Sequence, residues 1–493
     1  MRGKAKIFMT FMLAVLLVMS TFVSGAAASN ADVQNDEEQL LVVFRSDSIP
    51  QNAEDLVAQA GGEVTYSVPE IGTIEVTTDE PASFIKEMMN NREVLSVGPS
   101  LEVTLDLPEL EVAEEAEVTN EPPVTNIWES GYQWDIEMVT DNGASHDLYR
   151  EAREDVVVAV IDSGFDFDHP DLAHVVDEEG SRTFVPGTED SWDFNSHGTH
   201  VAGTIGADGS MKGVAPGTTL RSYRVFGATG GAQQIWITDA IIAAADDGAD
   251  VINMSLGGTR LLGQWFFTDP ETGERVRGGN SAADYVAYNR AIRYAINKGV
   301  TIVASAGNSE MDLSNPAKVT DQLNAGRNDG WEAKGATVYV PAQMPGAITV
   351  SATGGGFGTE DRLAFYSNYG NGAIDLGAPG GDLGPTRTEG SKYLVLSAVP
   401  TYLEYGGRGP EAEALFGKGY GWKGGTSMAA PQVSGAAAAY IAKVYAETGN
   451  KPNPRQVQNA LQQTAVDAGK RGYDPIFGHG IVNANRALNG IRR

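Results

Sequence analysis

The sequence predicts a mainly parallel α/β protein, three layers deep, preceded by a small α+β domain. Three observations lead there. From residue 134 onward, continuous apolar runs of strand length alternate with helical patterns, which is how a parallel sheet covered on both faces reads. Between residues 40 and 97, short β-branched runs and two amphipathic runs follow the order β-α-β-β-α-β. Between the two parts, residues 102–121 hold eight acidic residues and no basic one, with Pro122 and Pro123 next, so a solvated connection joins them.

The elements follow in chain order. Arg2, Lys4 and Lys6 precede an apolar run at 7–23 and the small residues Gly25, Ala26, Ala27 and Ala28, the arrangement of a cleaved export signal over residues 1–28. In the small domain, residues 29–101, strands are expected at 40–44, 63–68, 71–77 and 94–97 and helices at 53–59 and 82–90, a split βαβ or ferredoxin-like sheet. Residues 102–127 form the linker. In the large domain, 128–493, strands are expected at 156–161, 220–225, 251–254, 301–304 and 348–352, and helices at 197–205, 238–246, 282–298 and 428–445. The stretches 262–280, 309–339 and 380–423 are rich in Gly and polar residues and read as loops.

Composition excludes whole classes of function. The 493 residues include 35 Lys+Arg, 65 Asp+Glu and no Cys, a formal charge of −30. Without Cys there is no disulfide scaffold, thiolate nucleophile or Cys-ligated metal. A nucleic-acid partner is excluded, because neutralising phosphates requires an excess of clustered Lys and Arg. Residues 29–127 carry three basic and 22 acidic residues, a balance of −19, and residues 128–493 carry −14. No second apolar segment follows near the C-terminus, so no permanent membrane anchor is expected.

Three segments place a reactive side chain beside glycine at a strand end or helix start: VAVIDSG at 158–164, NSHGTHVAG at 195–203 and GGTSMAAP at 424–431. In the first, four apolar residues deliver Asp162 to the carboxyl end of a strand, where open α/β sheets form their crevices. In the second and third, His197 and Ser427 open helices, where outward backbone N–H groups can stabilise an oxyanion. Acid, imidazole and hydroxyl together make an activated nucleophile. Each segment alone also has a plain reading as a turn or helix cap.

Taken with SLGG at 255–258 and SAGN at 305–308, these segments resemble those of the subtilisin-like serine proteases, the subtilase family, in that family's Asp, His, Ser order. The resemblance implies a three-layer α/β/α subtilisin-like fold and a secreted serine endopeptidase. It implies that Asp162, His197 and Ser427 are the triad, and that Asn308 and the backbone N–H of Ser427 form the oxyanion hole. It also implies that Gly230, Gly231 and Ala232, with Ser255, Leu256, Gly257 and Gly258, bind an extended peptide substrate by β-addition. The residues 29–101 resemble the family's inhibitory propeptide on LVVF at 41–44, AGG at 60–62 and residues 94–97. That implies a self-processing zymogen with its cleavage site in 102–127, inhibited by its own propeptide and monomeric when mature.

Several residues depart from the family's pattern. His200 forms an i, i+3 pair with His197, yet no Glu stands as in H-E-x-x-H, so it reads as structural, as does His169. Gln234 stands where relatives carry an aromatic on the cleft rim, and Gln432 stands at a packing position. The loop 206–212 is shorter than in calcium-binding subtilisins. No cofactor is required for the chemistry, and a structural calcium at Asp171 remains an open expectation with no ligand set assigned. The stretch between Asn308 and Pro345 is long and should shape the primary specificity pocket. An esterase would need G-x-S-x-G and the order Ser, Asp, His, which are absent. A peptide-binding pseudoprotease would have lost at least one of the four catalytic residues, and all four are present. QWDIEMVTDNG at 133–143 further resembles lantibiotic leader peptidases, which suggests as alternative a dedicated processing protease acting on one precursor.

Overall fold

The computed structural model describes residues 38–105, 108, 124–279, 281–325, 327–355, 362–387, 390–404 and 409–492. The expected export signal and most of the acidic linker lie outside the described residues.

The small part contains β1 (Glu38–Phe44), α1 (Ala53–Gln59), β2 (Glu63–Val68), β3 (Thr73–Thr78), α2 (Pro81–Asn90) and β4 (Val94–Pro99), close to the expected bounds. Its antiparallel sheet runs β2-β3-β1-β4. Alternation along β1 gives the sheet two apolar faces: Leu40, Val42 and Phe44 join α1 and α2, whereas Leu41 and Val43 join the core beyond the opposite face. Pro81 opens α2, where its missing N–H leaves no helical bond unmade. The short β5 (Glu102–Thr104) then leaves this sheet.

The large part opens with α3 (Trp134–Thr140), β6 (Val157–Asp162), β7 (Arg182–Thr183), α4 (His197–Gly206), β8 (Thr219–Arg224) and β9 (Gly231–Gln233). It continues with α5 (Gln234–Asp246), β10 (Val251–Met254), β11 (Gly258–Thr268), β12 (Arg275–Arg277), α6 (Ala283–Asn297), β13 (Thr301–Ser305), α7 (Pro316–Asn324) and β14 (Trp331–Val340). Next come β15 (Ala347–Thr353), β16 (Leu376–Pro379), β17 (Val395–Ala398), α8 (Gly409–Phe416), β18 (Tyr420–Lys423), α9 (Thr426–Thr448), α10 (Pro454–Thr464) and α11 (Ala484–Asn489).

Seven strands form one parallel sheet in the order β16-β15-β13-β10-β6-β8-β7. The central strands, buried on both faces, are largely apolar, as in Val251 and Ile252 or Ile302 and Val303, whereas β8 and β7 toward one edge carry Arg, Ser and Thr. One face packs α4 and α9 and the other α5 and α6, giving the expected three layers.

The expectation of loops at 262–280, 309–339 and 380–423 is corrected. Strands β11, β12 and β14 form a three-stranded antiparallel arm, with α7 packed on it. Strands β17 and β18 pair antiparallel, and α8 lies between them in sequence. In the arm, Gly263 stands opposite Gly335, and a side chain on Gly263 would strike the Lys334 carbonyl at 2.1 Å; glycine there lets the strands approach closely. Paired over residues far apart in sequence, β11 and β14 satisfy each other's backbone despite their glycine and polar content.

Candidate active site

Asp162 ends β6, which lies between β10 and β8, so its carboxylate emerges at the carboxyl edge of the sheet. The N–H of Ser163 fixes one oxygen at 2.7 Å. His197 Nδ1 lies 2.8 and 2.9 Å from the two oxygens. A ring nitrogen facing a carboxylate carries the proton, which leaves the lone pair on Nε2. That nitrogen is buried and has no hydrogen-bond partner among the described residues.

The position of His197 is set by a residue that sequence reasoning missed. Asp193, fully buried, accepts from the N–H groups of Asn195, Ser196 and Thr199 and from the Thr199 and Ser163 hydroxyls. A carboxylate at the start of α4 satisfies its free N–H groups and favours its dipole. The Ser163 hydroxyl in turn accepts the Gly198 N–H at 2.8 Å, tying the end of β6 to the helix that carries His197. An Asp four residues before the His was the available sequence signal.

Ser427 is the second residue of the 23-residue helix α9, which contains Pro431. A proline there removes the N–H that would bond the Ser427 carbonyl four residues back. The Ser255 hydroxyl supplies the missing bond, at 2.7 Å, and Asn253 and Ser434 extend the network into β10 and α9. The Ser427 hydroxyl itself donates to the Ser255 carbonyl at 3.0 Å.

Asn308 follows β13, and its side-chain oxygen accepts from the Thr426 N–H and hydroxyl, both at 2.8 Å. With the oxygen so committed, the amide nitrogen faces the other way. A methyl group built on Gly425 would lie 3.6 Å from each of Asn308 Nδ2, the Ser427 nitrogen and Pro108 Cδ. Two candidate oxyanion donors and the chain at Pro108 therefore converge on one spot.

Beside that spot β5 pairs antiparallel with β9, setting Val103 against Ala232 and Thr104 against Gly231. The Leu105 N–H donates to the Gly230 carbonyl at 3.1 Å, and the Gln234 N–H to the Leu101 carbonyl at 3.1 Å. Val103 is buried with Ala232, Ile235 and Leu256. Gly257 and Gly258 line a cavity of roughly 350 Å³ with Thr104, Ser309, Met311 and Tyr339. Among the described residues β5 pairs with β9 alone; Gly258 instead begins β11 and stands opposite Val340.

Gln234, expected on the cleft rim, is fully buried: its amide donates to the Asp284 carbonyl and accepts from Arg260. Gln432 packs as expected and donates to the buried Asp135 at 2.6 Å. His200 bonds the Val395 carbonyl, and burial pushes its pKa well below the usual imidazole range, leaving it neutral. His169 bonds the Gly419 carbonyl.

The expectation of calcium at Asp171 meets side chains that do not fit the ion. The oxygens of Asp171 accept from the Ser210 and Met211 N–H groups and the Tyr420 hydroxyl. Asp208, in the short loop, pairs with Lys212 at 2.9 Å and with Arg150. Cations and donors thus occupy the carboxylates that a calcium ion would need. Among the described residues no group of three or more His, Cys, Asp or Glu side chains is placed to hold a metal, and no helix is long and apolar enough to cross a membrane.

A parallel α/β/α sheet with a buried Asp–His pair and a helix-borne Ser at its carboxyl edge defines a class, the serine-type hydrolases. The chain belongs to the subtilase family, which it matches over residues 153–480, and is a serine protease acting on peptide bonds. It is 29% identical over 447 residues to the epidermin leader peptide-processing serine protease of Staphylococcus epidermidis, with 88% of this chain and 89% of that one covered. It is 27% identical over 494 residues to subtilisin NAT of Bacillus subtilis subsp. natto, covering 99% and 100%. The crystal structure of the epidermin leader peptide processing serine protease from Staphylococcus aureus matches with a TM-score of 0.68 at 25% identity, over 93% of this chain and 99% of that one.

Proposed function

We propose that the chain is a secreted serine endopeptidase made as a self-processing zymogen. Ser427 Oγ attacks the substrate carbonyl carbon while His197 Nε2 takes its proton, and Asp162 holds the ring and stabilises the imidazolium. Asn308 Nδ2 and the Ser427 N–H receive the oxyanion. As the tetrahedral adduct collapses, His197 returns the proton to the leaving amine, and water then releases the acyl group by the same route in reverse. No step draws on a metal or cofactor.

The observation that carries the zymogen reading is the path of the chain. Residues 101–105 lie along β9 as an added strand and Pro108 lies against Gly425, near the Asn308 amide and the Ser427 N–H, which supports a small part that blocks the cleft with its own tail. A bond beyond Leu105 is then the first to be cut, within the linker of 102–127. Residues 29–101 act as propeptide, residues 1–28 direct export, and the mature enzyme is a monomer. The test is intact mass and N-terminal sequencing of wild type beside Ser427→Ala, incubated identically. Wild type should lose the small part with a new terminus between residues 106 and 124, and Ser427→Ala should stay whole. Equal cleavage of both, or of neither, overturns self-processing.

A second reading, a dedicated processing protease, is favoured by the similarity to the epidermin leader peptide-processing enzyme across nearly the whole chain. Efficient cutting of one leader-type precursor, with unrelated unfolded proteins spared, supports it; equal turnover of both sinks it.

A further inference from the structure

We infer that the arm of β11, β12 and β14 is a second docking surface for the small part, built to hold it after its linker is cut. The inference rests on the zymogen reading and adds to it the means by which release is delayed.

The small part meets the helical layer through its sheet face. Tyr66 bonds Asp239 on α5 at 2.7 Å, and Arg290 on α6 donates to the Ile71 carbonyl at 2.8 Å and pairs with Asp47 at 2.8 Å. The arm takes a different side. It closes over the edge strand β4 and the layer of α1 and α2, so that Leu261, Trp265, Phe267, Val276 and Trp331 share one apolar cluster with Leu40, Phe44, Phe84 and Val97. The small part's own core thus extends into the large part.

Three features mark this as a made surface. First, the open edge of β4 is paired: the Val97 N–H donates to the Gly278 carbonyl at 2.7 Å, and Ser96 bridges Gly279. The buried Ser96 hydroxyl donates to the Gly278 carbonyl at 2.9 Å and contacts the Ser281 carbonyl. Unpaired edges invite other strands, and here the arm provides the cover. Second, Gly278 has no room for a side chain, since a methyl group would stand 2.0 Å from the Val97 carbonyl oxygen. Third, Trp265 is positioned from within the large part: its indole N–H bonds Asp284 on α6 at 3.1 Å, and the Arg327 guanidinium lies 5.0 Å over its ring. Both of these contacts come from the large part, so they can hold the indole in place before the small part docks. On the far side the Trp331 indole bonds Glu38 at 2.9 Å.

The test uses the full chain carrying Ser427→Ala and a recognition site for an added protease within residues 109–123. After nicking, the two pieces should co-elute on gel filtration, and dilution gives the dissociation rate. Gly278→Val forces the paired backbones apart and should raise that rate by at least about tenfold. Ser96→Ala, which removes only a hydroxyl on the small part, should raise it by roughly fivefold. In the Ser427 background, peptide hydrolysis after complete removal of the small part should be unchanged by Gly278→Val. Immediate separation of the parent, or equal rates for all three chains, overturns the inference. A failure of wild type to cut itself would defeat the zymogen reading while leaving this comparison to be read.

Discussion

The active centre and the arm belong to the same domain and are made of opposite materials. At the active centre the side chains are buried, polar and bonded in sequence: Asp193 to Ser163 and α4, Ser255 to Ser427, Thr426 to Asn308. Removing one member strands a partner in a dry place, so errors there are expensive. The arm is mainly apolar contact and a short backbone pairing, with a few side-chain bonds such as Trp331 to Glu38, and its cost would appear on release of the small part, when Trp265, Phe267 and Trp331 face water. Chemistry demands fixed directions, whereas holding a partner demands area. The two regions can therefore be altered separately.

Substitutions should separate them, beginning with the largest effect. Asn308→Leu should lower kcat by about 10²–10³ if it removes one of the two proposed oxyanion donors, with docking of the small part unchanged; kinetics on the matured enzyme beside gel filtration of the nicked chain would check both halves. Trp265→Ala is the mirror case. Losing a buried aromatic anchor should speed release by about 10²-fold and leave kcat and KM of the mature enzyme at wild-type values. A matching fall in kcat would erase the distinction. Ser255→Ala leaves the Ser427 carbonyl buried and unbonded, which costs about 1–3 kcal/mol; kcat should fall roughly tenfold while docking holds.

The smallest effect is on pH. Burial raises the pKa of Glu38, which faces Trp331, Asp329 and Arg327, and of Asp239, which faces Tyr66, Glu70 and Arg182. Both carboxyl groups lie where the small part seats, so the seated form holds protons that the separated form gives up. Their contribution is present below the ordinary carboxylate range and lost as pH rises through the raised values. Release from the nicked chain should thus quicken as pH climbs from 4 to 7. Glu38→Gln and Asp239→Asn together should flatten the profile, and an unchanged slope would show that other groups control it.

Legibility in the sequence followed the same division. The Asp, His, Ser and Asn positions could be read because short motifs fix them within a strand end or one helical turn; the structure pairs Asp162 with His197 and sets Asn308 beside the start of the helix that carries Ser427. The elements of the small part could be read because short β-branched and apolar runs such as Leu40 to Phe44, and the amphipathic helical runs between them, are local signals. The arm could not. Its strands pair across more than sixty residues, with α6, β13 and α7 intervening, and inward residues such as Leu261 and Trp265 are separated by Gly263. The helix α7 left a usable sign, Asn315 accepting from Lys318 with Pro316 at the first position. Gln234 misled because its rim position was carried over from the family resemblance, while the partners that bury it, Arg260 and Asp284, belong to segments far along the chain.

Pro431 also couples two positions that lie far apart in the sequence, Ser427 on α9 and Ser255 after β10. Because it withholds an N–H from the Ser427 carbonyl, position 255 must supply a donor hydroxyl. Replacing Pro431 by Ala restores the helical donor, and the Ser255 hydroxyl then becomes redundant. The harm done by Ser255→Ala should shrink in that background, a non-additive pair in a double-mutant cycle. Drift at one of these sites is permitted only by the state of the other, so the helix break and the serine should be inherited, or lost, together.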